Sequence, residues 1–209
     1  MAAQLPWTCY IVAVKTGAIL AEITLISEPA WSAQVNNDGS FQVVGLLEDR
    51  ASDALKSVGT DGGKIGVALA YGEAPEGKIV QAGPVWKSSY NDRTRTITLA
   101  GSGLWSVLNR RLLVHPSWQP PANLVDIAYD SVYTNQTLRS IANFLVADCL
   151  AHQNGTLPID LPLSTPEAGT HERTYPSHEM AKYGQRLFEL TQVIDGPDVL
   201  FQPYFSDPS

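Results

Sequence analysis

Between Val80 and Arg111 the chain writes a strand, a tight turn, a second strand and a helix in one uninterrupted phrase, and this phrase restricts the fold more than any other stretch. A β-prone run around Val85 comes first, Asn91-Asp92 supplies turn chemistry, and Thr94, Thr96 and Thr98 then alternate with Arg95, Ile97 and Leu99. A period of two sends alternate side chains to opposite faces, which predicts a hairpin with one polar and one mixed face. Gly101-Ser102-Gly103 breaks the second strand, the Ser102 hydroxyl can accept from a first-turn amide, and Leu104, Val107, Leu108 and Leu112 share one helical face. Arg110 and Arg111 fall in the last turn, where cations suit the carbonyl end of a helix.

Upstream the same logic predicts more strands. Ile19, Ala21, Ile23 and Leu25 alternate with Leu20, Glu22, Thr24 and Ile26, and Lys15-Thr16-Gly17 joins them to a strand over 10–14. Segments 31–35 and 40–47 flank Asn36-Asn37-Asp38-Gly39, a hairpin signal. These four strands are expected to run as an antiparallel meander. A short helix over 48–58 and a strand over 64–71 follow, so residues 1–113 read as a β-barrel-like domain.

The composition changes beyond Leu113, where His115-Pro116-Ser117-Trp118-Gln119-Pro120-Pro121 suits neither a helix interior nor a central strand, because proline removes donors and fixes dihedrals. A boundary is expected there, with residues 114–209 forming a smaller α+β domain. It should hold a helix over 136–152, capped by Thr134 or Asn135 and carrying Leu138, Ile141, Leu145 and Cys149 on its core stripe. A second helix is expected over 177–194, with Met180, Tyr183, Leu187, Leu190 and Ile194 inward and Glu179, Lys182, Arg186 and Glu189 outward. A strand over 198–205 would close the domain. The fold class is therefore α+β, mainly β.

At 209 residues the chain is long enough to fold without covalent staples. Its net charge of -7 argues against general affinity for nucleic acid, which depends on Lys and Arg displacing counterions from phosphates. The opening MAAQLPWTCYIVAVKTGAILAEITL lacks a basic start, and Lys15 and Glu22 interrupt its apolar runs, so neither a signal peptide nor a membrane span is expected. Cys9 and Cys149, one on a predicted strand and one on a predicted helix, are expected as buried thiols.

Chemical motifs are weak throughout. Gly101-Ser102-Gly103-Leu104-Trp105-Ser106 follows a strand and opens a helix, and Asp126 lies downstream where a ribose-binding acid would stand, yet the preceding strand belongs to a hairpin and Ser106 replaces the third glycine. His171-Glu172 and His178-Glu179 miss the zinc-protease spacing because Lys182 occupies the second histidine's place. His115 and His152 complete the histidines, all in loop or helix-end positions. Glu48-Asp49 or Asp126 with Asp130 could serve sugar hydrolysis only at a set separation. Trp7, Trp31, Trp86, Trp105 and Trp118 could form a sugar platform or serve as core and interface anchors. No catalytic, cofactor-binding or metal residue is assigned from the sequence, and no enzymatic activity or cofactor is expected.

The Val80–Arg111 phrase resembles the hub and minor tail proteins of long-tailed bacteriophages, especially those of actinobacterial phages, in which a hairpin of the form GPV…D…TITLAG…L…L..R leads into a short helix. A second segment, His171-Glu172-Arg173-Thr174-Tyr175 followed by Tyr183-Gly184-Gln185-Arg186-Leu187-Phe188-Glu189-Leu190-Thr191, is similar to a stretch that in those proteins precedes a strand. Together the two cover about a third of the chain.

The resemblance implies a structural baseplate hub at the tail tip, assembled as a homotrimeric ring around a channel that DNA crosses without specific binding. Distal tail protein, tape measure and tail fibre proteins would be its neighbours, with assembly in the host bacterial cytoplasm and the virion as destination. Asp38, Glu48, Asp49 and Glu73, on predicted loops, are the candidate channel lining. Related hubs often continue into a second barrel-like domain, so this chain would be a shortened relative or have the remainder supplied elsewhere. The readings that compete with it are a host cell-wall carbohydrate-binding module, in which Trp118 would be a contact, and a small glycan hydrolase.

Overall fold

The computed structural model describes residues 6–46, 64–72 and 77–205. The expected helix over 48–58 lies outside them, as do Glu48, Asp49 and Glu73. Two compact units account for the chain, Met1–Ser106 with Leu200–Ser209, and Val107–Val199. The boundary expected at residue 113 falls seven residues beyond this division, and the last segment belongs to the first unit.

The first unit contains β1 (Trp7–Ala13), β2 (Ile19–Ile23), β3 (Ala30–Ser32), β4 (Ser40–Leu46), β5 (Ile65–Tyr71), β6 (Lys78–Asn91) and β7 (Thr96–Gly101); the one-turn helix α1 (Trp105–Leu108) begins in it and ends in the second. The strands form a seven-stranded antiparallel sheet in the order β2-β1-β5-β6-β7-β4-β3. The expected meander of the first four strands is corrected: β1–β2 and β3–β4 are hairpins, but β5, β6 and β7 stand between them in the sheet. Local alternation fixes which residues form a strand; partner choice depends on contacts far apart in the chain. The residues after β2 reach the far side of the sheet order, where Leu25 bridges Gly45 and Ile26 N donates to Val44 O at 3.1 Å.

One face of these strands encloses a single core. Cys9 and Ile11, Ile23, Phe41 and Val43, Val67 and Leu69, Val85, and Ile97 and Leu99 are buried together. Each such side chain contributes about 1.5–3 kcal/mol on leaving water. Strand β5 is buried on both faces; its small Ala68 and Ala70 meet Tyr10, Ile79 and Phe205 on the other side. Strand β6 changes partner midway, pairing β5 through Pro84 and β7 from Val85. Gly83 makes the change possible, since a Cβ there would stand 2.0 Å from Ser102 O.

Segment 198–205 forms no strand, correcting that expectation. Its aromatic rings carry the attachment: Phe205 meets Tyr10 edge-on at 5.8 Å and Phe201 meets Trp105 at 6.2 Å.

The second unit holds β8 (Ser131–Gln136), α2 (Leu138–Ala151), β9 (His171–Tyr175) and α3 (Tyr183–Thr191), with 3-10 turns at Ile127–Tyr129 and Ser177–Glu179. β8 and β9 pair as a two-stranded antiparallel sheet. The cap of α2 is Thr137, whose side chain accepts from Ser140 N, in place of Thr134 or Asn135; Asn135 adopts φ 54 inside β8. The single helix expected over 177–194 is two pieces, because Met180 takes φ 47 and ends the first turn. Tyr183, Leu187 and Leu190 are buried as expected, whereas Met180 and Ile194 are 47% and 89% exposed. Among the described residues no helix is long and apolar enough to cross a membrane.

Candidate functional site

Two arrangements bring chemically capable side chains together, one in each unit. In the first unit β1, β3 and β5 deliver Trp7, Trp31 and Tyr71 to one place. Trp7 packs on the core and meets Trp31 edge-on at 6.2 Å and Tyr71 at 5.3 Å, while Trp31 and Tyr71 remain 41% and 55% exposed. Such rings offer apolar faces and polar edges to a partner surface or a sugar ring. Sequence reading counted Trp7 and Trp31 but had no signal that would pair them, and missed Tyr71.

The other tryptophans are spoken for. Trp86 Nε1 donates to Ser106 Oγ at 3.0 Å, Trp105 is 3% exposed, and Trp118 Nε1 donates to Ala122 O at 2.8 Å. The Gly101-Ser102-Gly103 segment is explained by close backbone approach: Gly103 N donates to Asp38 O at 2.8 Å, and a Cβ on Gly103 would lie 2.3 Å from that oxygen. The recess beside it, lined by Asn37, Asp38, Gln81, Trp105 and Phe201, measures about 20 Å³, room for one water molecule. Asp38, the described member of the proposed channel lining, is half-buried there.

In the second unit a polar cluster lies at the C-terminal half of α2. Tyr133 on β8 donates its hydroxyl to Asp148, and Tyr183 OH lies 3.1 Å from His152 Nε2. Arg111 reaches the end of α2, where Nη1 donates to Gly155 O at 2.5 Å and Cys149 O at 3.3 Å. The expectation that Arg111 serves its own helix is thereby corrected: it satisfies carbonyls at the end of another, where a cation also meets the negative end of the dipole.

Burial governs the protonation of this cluster. It raises the Asp148 carboxyl above its ordinary range, against the pull of Tyr133 and the two histidines His115 and His152. It lowers the His152 imidazole, opposed by a hydrogen bond to the Val114 backbone. Tyr133 is driven upward by burial and then by Asp148. Burial raises the Cys149 thiol, with Arg111 opposing. Tyr133 with Asp148, Tyr183 with His152, and Arg111 with the carbonyls of Cys149 and Gly155 make a hydrogen-bonded cluster at the end of α2.

The remaining sequence candidates are dispersed. Asp126 accepts from Ala128 N at 2.9 Å, capping a 3-10 turn, and Asp130 accepts from Ser177 N at 3.3 Å. His171 stands on β9 and His178 in the second 3-10 turn. Among the described residues no three His, Cys, Asp or Glu side chains converge as a metal site would need. Cys9 and Cys149 are buried free thiols.

No protein-family model matches the chain. No curated protein matches it either. Among solved structures, it is similar to the crystal structure of the 43 kDa tail protein of prophage MuSo2 from Shewanella oneidensis, with a TM-score of 0.47 and 17% identity over 88% of this chain. The chain spans 47% of that protein's length. A likeness this loose carries no conclusion about fold or activity.

Proposed function

We propose that this chain is a structural component of a bacteriophage tail, acting without catalysis as a baseplate hub at the tail tip. In this reading copies form a ring, three by resemblance, around the channel through which DNA leaves, with other tail proteins as neighbours. The observation that supports it is that the phrase carrying the family resemblance forms a hairpin and then a helical turn: β6 pairs β7 down to Asn91 and Thr96, and α1 follows within four residues of β7. The second segment forms β9 and then the helix α3, although no strand follows among the described residues.

The reading takes the seven-stranded sheet as a barrel-like collar. Its support is the Leu25–Gly45 bridge and a core shared by β2 and β4, strands near opposite ends of the sheet order. Particles assembled with an epitope-tagged copy test the reading: the tag should co-purify with tails and image at the tip. A tag found on capsids, or excluded from particles, overturns it.

A second reading, carbohydrate binding, is favoured by the Trp7–Trp31–Tyr71 cluster. It predicts glycan-array binding that Trp31→Ala abolishes. Trp118, with its indole N–H already engaged, is the poorer contact.

A further inference from the structure

The β6–β7 hairpin carries a feature that the sheet does not require. Residues 87–95 are exposed without interruption, including all five final residues of β6. In a strand successive side chains face opposite ways, so over 87–91 neither face of β6 is covered, although its partner β7 is held in the sheet on its other side by β4. Upstream in the same strand Ile79, Gln81 and Val85 are buried.

The tip is ordered by its own side chains. Asn91 Oδ1 accepts from Arg93 N at 3.1 Å and Thr94 N at 3.4 Å, Tyr90 OH donates to Asp92 at 3.4 Å, and the Thr94 and Thr96 hydroxyls are 2.8 Å apart. A tip ordered in this way loses little entropy on docking. It is also basic: Lys87, Arg93 and Arg95 against Asp92 give the tip a net +2 on a chain of net -7, leaving -9 for the rest.

The complementary surface lies in the same unit. Over Ile19–Glu22, ahead of the Thr24–Ile26 stretch that pairs with β4, β2 ends the sheet order and exposes Ile19 at 49%, Leu20 at 38% and the Glu22 carboxylate. An edge strand presents backbone donors and acceptors to a second chain. Because arm and edge are different surfaces, their contact is heterologous, the kind that repeats into a ring or a filament.

We propose that the tip of the β6–β7 hairpin is a docking arm for a second copy of this chain, laid along β2 of the neighbour with Lys87 and Arg93 facing Glu22. This deepens the ring reading and rests on it. Opposite charge guides the encounter, and Ile19 and Leu20 lose water against Tyr90 and the threonines of the arm.

The test mixes ¹⁴N- and ¹⁵N-labelled full-length chains and joins amines to carboxylates by zero-length carbodiimide coupling. A Lys87–Glu22 cross-link bridging the two isotopes is expected. Sedimentation should show salt-sensitive self-association that Lys87→Glu with Arg93→Glu weakens about tenfold or more. Arg139→Glu with Lys182→Glu, the same change of net charge in the second unit, should leave it unchanged. Glu22→Lys combined with Lys87→Glu should restore it. Undiminished association of the arm variant, or a wild-type chain that stays monomeric at every salt and concentration, overturns the arm. The tail reading is judged separately by the tag on particles, so the two failures are distinguishable.

Discussion

Replacing Arg111 with methionine keeps much of the side chain's length and removes its charge and donors. Two backbone carbonyls, Gly155 O at 2.5 Å and Cys149 O at 3.3 Å, then lose their cationic partner in a part-buried place. A hydrogen bond to a charged group contributes about 1.5–3 kcal/mol, so one good and one long bond together make about 3 kcal/mol. For a unit the size of Val107–Val199 that corresponds to a fall in Tm of roughly 12–24 °C if the unit melts on its own. Urea unfolding followed by circular dichroism at the helical band, where α2 and α3 dominate among the described residues, measures the loss. Arg111→Lys should recover part of it, since an ammonium can reach one carbonyl but lacks the guanidinium fork. Lys182→Met, at an exposed position of the same unit, should stay within about 0.5 kcal/mol. A loss under about 1 kcal/mol for Arg111→Met would refute the claim that this residue holds the end of α2.

Four other outcomes follow from the same geometry. Thr137→Ala should cost about 1 kcal/mol in urea unfolding, because its hydroxyl caps α2 through Ser140 N at 3.1 Å. Gly83→Ala should destabilise the first unit by about 1–3 kcal/mol, its Cβ being driven to 2.0 Å from Ser102 O; unchanged melting with unchanged fluorescence would count against the close approach. His152 has a folded pKa below its unfolded value, so its contribution is present above the unfolded pKa of about 6.5 and lost as pH falls below it, when the unfolded chain takes the proton more readily. His152→Gln should therefore flatten the acid-side decline in a pH series of melting curves. Asp148, with a raised pKa, works in the opposite direction and gains stability as it protonates, which Asp148→Asn should abolish.

Much of the local structure was legible. The alternation of Phe41 and Val43 with Ser40 and Gln42 marks β4, and Asn91-Asp92 marks the turn of the long hairpin. What was not legible rests on long-range pairing or on single backbone choices. Nothing in Ile19–Ile26 says that the end of this segment will meet Gly45 rather than the strand that follows it. Met180 at φ 47 splits a helix whose apolar spacing continues through it. Asn135 and Thr137 are both good caps by type, and the strand pairing of β8 through Gln136 decides between them. The Trp7–Trp31–Tyr71 cluster and the Arg111 contacts needed three-dimensional neighbours that no spacing rule supplies.

A density map of intact tails with this chain labelled tests the central claim most directly. The account predicts a closed ring of copies at the tip, each passing its β6–β7 arm to the next around an open axial channel. A solitary copy with an occupied ligand pocket would contradict it.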